Sequence, residues 1–105
     1  MSDDNQIEIP ASFTALFVAP GRQKPSEPRH VVADRYELCE DMATMLTETA
    51  KNMLFGLGIS EHEVLERIQR GLSGDGAVVS TPEIQWVLHR LAELLDWEID
   101  PSLLA

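Results

Sequence analysis

The side chains able to do chemistry are few and scattered. His30, His62 and His89 lie far apart, and no two of them share a helical face at i, i+4. His62 with Glu66 and His89 with Glu93 do have that spacing. Two ligands are too few for a metal site, so each reads as a solvated pair on a helix surface. Cys39 is followed at helical spacing by Met42 and Leu46, which makes it a small apolar core residue rather than a nucleophile. The cluster "GLSGDG" has neither the G-x-x-x-x-G-K-[ST] pattern of a phosphate loop nor the acidic ladder of a calcium loop. It reads as a flexible turn. No acid, base and nucleophile assemble, so the sequence predicts no catalytic residue, no cofactor, no metal site and no enzyme.

Two groups of residues suggest binding instead. Residues 82–97, "PEIQWVLHRLAELLDW", read as one amphipathic helix whose stripe is Ile84, Val87, Leu88, Leu91, Leu94 and Leu95. Trp86, Arg90 and Trp97 fall behind that stripe, with Glu93 beside them. Trp and Arg are enriched at interaction hot spots, and Arg90 can lie over either indole in a cation–π contact. The second group is Phe13, Leu16 and Phe17, whose i, i+3, i+4 spacing suits a short helix inserting three anchors into an apolar groove. The two groups are candidates to dock on each other. Within one chain they would bury each other; between chains they would make a swapped homodimer.

The elements that position these residues are predicted to be helical throughout. Residues 1–9 read as a disordered tail. Residues 10–28 read as a short helix opened at Pro10 and closed by Pro20-Gly21, then an extended Pro-rich linker, long enough at ~30 Å to permit either mode of docking. Residues 29–105 form an acidic helical domain. Its first helix, about 29 to 57, is long and free of proline, with Val32, Cys39, Met42, Leu46, Ala50, Met53 and Leu57 as its stripe, widened by Leu38 and Met45. Gly58 sits where a C′ glycine belongs. Ser60 with Glu63, and Ser80 with Glu83, are capping boxes that open two more helices. The third helix carries Val64, Leu65, Ile68 and Leu72 inward, and "SGDGAVV" is a loop. The fold class is all-α: a small bundle of three main helices plus a short N-terminal one.

Charge narrows the partners. The chain of 105 residues is one domain by length and carries a net charge of −10. Residues 34–105 hold fourteen acids and five bases, so the excess lies in the helical domain. Such a surface repels phosphate backbones and anionic lipid, which argues against direct nucleic-acid or membrane contact. The last two helices are not a helix-turn-helix: their connection of about eight residues exceeds the usual ~3–4, and the last helix offers too few cations for phosphates. One cysteine permits no internal disulfide, no stretch reads as a signal or membrane span, and a cytoplasmic location is expected.

The stretches "LFVAPGR", "RYELCEDMATMLTETA", "VLERIQRGL" and "WVLHRLAELLDW" resemble a group of small proteobacterial proteins described as "ATPase with chaperone activity", over most of the chain from about residue 13 to 97. The motifs are not mechanistic and carry over no catalytic residue. The resemblance implies nucleotide hydrolysis and action on another protein. The residues themselves point to a protein–protein interaction module, an adaptor or chaperone-like accessory without catalysis. An acidic decoy of a nucleic-acid-binding protein is the alternative, and a nucleotide-hydrolysing chaperone the second.

Overall fold

The structure, a computed structural model, describes residues 8–104. The expected tail falls mostly outside them. All regular elements are helical, and no strand occurs among the described residues. They are α1 (Ala11–Thr14), continued by a 3-10 turn (Ala15–Phe17), then α2 (Arg29–Leu57), α3 (Glu61–Leu72), α4 (Thr81–Leu95) and a final 3-10 turn (Pro101–Leu104). The chain divides into two compact units, Met1–Leu38 and Cys39–Ala105. That boundary lies inside α2 rather than at residue 28, where the linker was expected to end.

In the first unit, the backbone N–H groups of Phe13 and Thr14 donate to the Pro10 carbonyl and start α1. The linker is exposed but not simply extended. Arg22 N–H donates to Ala19 O at 3.0 Å across Pro20-Gly21, with Gly21 at φ +80°, as a type II turn requires. Ser26 N–H then returns to Phe17 O at 2.7 Å. Proline at the second turn position and glycine at the third make this reversal cheap, which the proline count alone did not convey. Pro28 O accepts from Val31 and Val32 and begins α2.

In the second unit, α2 ends as expected: Gly58 takes φ +64° and its N–H donates to Leu54 O. The Ser60 hydroxyl accepts from Glu63 N–H and caps α3. At α4 both halves of the capping box form: Glu83 N–H donates to Ser80 Oγ, and Ser80 N–H donates to Glu83 Oε1 at 2.8 Å. Helices α3 and α4 pack on each other. Val64, Leu65 and Ile68 of α3 are buried, as are Ile84, Val87, Leu88, Leu91 and Ala92 of α4. Gln69 Nε2 donates to Leu103 O at 3.0 Å, tying the last turn to α3.

Helix α4 stops at Leu95, two residues short of the expected end. Asp96 adopts the left-handed conformation, Trp97 N–H donates to Ala92 O at 2.8 Å, and Asp96 N–H donates to Glu93 O. This pair of bonds is a Schellman closure with aspartate where glycine is usual. Three positions assigned to buried stripes are exposed: Met45 (72%), Leu57 (55%) and Leu94 (39%). Met45 lies at the margin of its stripe, and Leu57 and Leu94 are in the last turns of their helices.

Candidate functional site

Of the residues expected to form a surface, Phe13 and Trp86 are buried and Leu16, Phe17, Arg90 and Trp97 are half-buried. Phe13 is fully buried, and its ring centroid lies 5.5 Å from Phe17 and 5.6 Å from Tyr36, the latter edge-on. Both separations and tilts suit the aromatic quadrupole. Phe13 is therefore anchored on its own chain. Leu16 and Phe17 beside it are half-buried. Tyr36 follows Val32 by four residues and precedes Cys39 by three, so it lies on the inner stripe of α2, although the expected stripe passed over it. A tyrosine seven residues after the helix's first residue gives no local sign that it meets residue 13.

Trp86, expected on the outward face, is buried at 9% exposure. The same helix meets α2 nearby. One turn later, Arg90 Nε donates to Glu40 Oε1 at 2.9 Å and its NH2 nitrogen donates to Glu40 Oε2 at 3.0 Å, a two-pronged fork onto α2. Helix α2 thus comes over the side of α4 that the helical wheel left open. The helix buries its stripe and part of its back as well. Trp97, past the Schellman closure, is half-buried.

Arg90 also donates from its NH1 nitrogen to Glu93 Oε1 at 3.1 Å. Its nitrogens are committed to two carboxylates. Hydrogen bonding to Glu40, opposed by desolvation and aided by Glu93, raises the guanidinium pKa above its ordinary value. An arginine is protonated throughout the working pH range in any case. The stability gained from a raised pKa is fully present below the unfolded-state value, so the arginine adds no pH dependence there. Arg90 thus ties α4 to α2.

Shallow depressions occur among the described residues. One, about 560 Å³, is lined by Ser60, Glu61, His62, Glu98, Ile99, Asp100 and Pro101. The buried His62 Nδ1 has no hydrogen-bond partner. No group of three His, Cys, Asp or Glu side chains among the described residues is placed to hold a metal ion. Another, about 500 Å³, is formed by Ala19, Arg22, Gln23, Lys24, Pro25 and Ser26 in the folded-back linker. Cys39 is fully buried, in keeping with a core residue.

Comparison with protein-family models, curated proteins and solved structures finds no match. The surface itself must therefore supply the functional argument.

That surface is the outer face of α2. Phe55 is 80% exposed and Met45 72%. At 100° and 1.5 Å per residue they stand about 80° apart around the helix and about 15 Å along it. Both point away from the inner face, where Cys39, Ala43 and Ala50 are buried. Between and beside them lie the exposed Asp41, Glu48, Thr49, Lys51 and Asn52. The sequence reading placed Met45 in the core and gave Phe55 no role, although Phe55 is off the stripe by its position alone. No helix among the described residues is long and apolar enough to cross a membrane.

Proposed function

We propose that this chain is a protein–protein interaction module, an adaptor or chaperone-like accessory without catalysis of its own, and that the outer face of α2 makes the contact. The observation carrying this reading is the pair Phe55 and Met45, held in water on a regular helix among charged and amide side chains. Scattered exposed apolar residues are ordinary in soluble proteins. A phenylalanine and a methionine on one helix face, with a polar rim, match the make-up of recognition helices, in which an aromatic anchor supplies contact area and a thioether adapts to its shape. Phe13 and Trp86, also expected at the contact, are buried, whereas Leu16, Phe17, Arg90 and Trp97 keep part of their surface in water.

The test is a photo-crosslinking phenylalanine analogue placed at position 55 in cells that make the protein, with a control at the exposed Arg67. Discrete adducts from position 55 that are absent from position 67 support the module. An adduct pattern no different from the control removes it.

One observation favours a second reading, the acidic decoy: residues 39–105 carry twelve acids and four bases, for a net of −8. A decoy complex should weaken steeply between low and moderate salt, whereas one anchored by Phe55 should weaken little. The nucleotide-hydrolysing chaperone rests on the resemblance alone, and titration calorimetry with Mg-ATP that gives no heat would exclude it.

A further inference from the structure

Resting on the reading of α2 as the partner-facing element, we propose that its partner is a second copy of this chain, paired antiparallel through residues 45–55 about a two-fold axis at the level of Ala50. Exposed residues of α2 recur at steps of four and three: Asp41, Met45, Glu48, Asn52 and Phe55. That spacing is the seam of a helix pair, here lying on the water-facing side. A two-fold axis between antiparallel helices sets residue i against residue j where the two numbers share a constant sum, and each contact occurs twice. Centred on position 50, Met45 meets Phe55 of the other copy at both ends. Glu48 meets Asn52, and Lys51 falls beside Glu48.

The charges select both the partner and the direction. Lys51 is the one basic residue between positions 39 and 57, and Glu48 is one turn away. In the antiparallel register each Lys51 reaches a Glu48 of the opposite copy, and each thioether reaches a ring edge. A parallel register would set Glu48 on Glu48 and Lys51 on Lys51, and like charges in contact oppose association. The face thus supplies both halves of each contact, which is what an isologous interface requires. A helix pair of this length buries less than the ~1,200 Å² of a standard stable interface, so the dimer forms reversibly with concentration.

Sedimentation equilibrium of the full chain, from micromolar to millimolar, tests this. The parent should shift from monomer to dimer with concentration. Glu48→Lys and Lys51→Glu should each raise the dimer Kd about five- to tenfold, because both symmetric pairs are lost. The double variant Glu48→Lys with Lys51→Glu should return to within about twofold of the parent, since the pairs re-form with charges exchanged. Circular dichroism on each variant confirms that the exposed substitutions leave the helix content intact. A monomer at millimolar concentration overturns the inference, as does a dimer indifferent to both single variants or a double variant that fails to recover. The crosslinking experiment separates this failure from failure of the underlying reading. Adducts from position 55 at masses other than twice the chain, with a monomer in the centrifuge, would overturn the dimer alone. Absence of adducts would overturn both.

Discussion

Replacing Trp86 with alanine should cost this protein a large part of its stability, and the size can be worked from its burial. A tryptophan side chain presents roughly 150–250 Å². At 9% exposure nearly all of that area is withdrawn from water. At ~25 cal/mol per Å², reduced by roughly 10–40% because unfolded chains are themselves partly compact, the loss is about 3–4 kcal/mol. Measured Trp-to-Ala changes in cores cost ~3–5 kcal/mol, the cavity included. A chain of 105 residues has a total stability of about 5–15 kcal/mol, so the variant should retain a shallow or incomplete folding baseline. Phe55→Ser is the control, since an 80% exposed ring should change stability by no more than ~0.5 kcal/mol. Urea melts followed by far-ultraviolet circular dichroism, at matched protein concentration, give both values. If Trp86→Ala melts within ~1 kcal/mol of the parent, the indole does not fill the core as described here, and an outward role for Trp86 becomes viable again.

Three further outcomes follow from particular contacts. A double-mutant cycle between Glu40→Gln and Arg90→Met should give a coupling of about 1 kcal/mol, discounted from a buried pair because the side chains are 25% and 34% exposed, and shrinking in high salt. Asp96→Gly should raise stability by about 0.5–1 kcal/mol in urea melts, because the left-handed position at φ 60° is tolerated by aspartate but costs glycine less. Phe13→Ala should cost ~3–5 kcal/mol in the unfolding of the first unit, seen as loss of the Tyr36 near-ultraviolet signal.

Much of the local architecture was legible because it is written in local chemistry. Ser60 and Ser80 with their third-position glutamates mark helix starts, and Gly58 marks a helix end, since each signal acts over four or five residues of one chain segment. The all-helical class follows from the same logic and from apolar periodicity. The left-handed stop at Asp96 was not legible, because aspartate tolerates that conformation without advertising it. The type II turn at Pro20-Gly21 is a break by sequence and a reversal in the structure, because proline and glycine signal the bend but not the bond from Ser26 N–H to Phe17 O that brings the linker back.

The candidate surface shows where such reading ends. A helical wheel correctly divides α4 into a stripe and a back, and then infers that the back faces water. That inference needs knowledge of which neighbour comes alongside, and here α2 brings Glu40 onto Arg90 while Trp86 is buried one turn away. The same reasoning hid the face that is open: Met45 sits at the edge of an apolar stripe, and only the placement of the other helices decides which side of that edge is covered. The sequence by itself determined helix, cap and charge, because these depend on the backbone and on neighbours within a turn. Tertiary structure alone decided which aromatic is core and which is surface, because burial belongs to pairs of segments that the chain brings together from tens of residues apart.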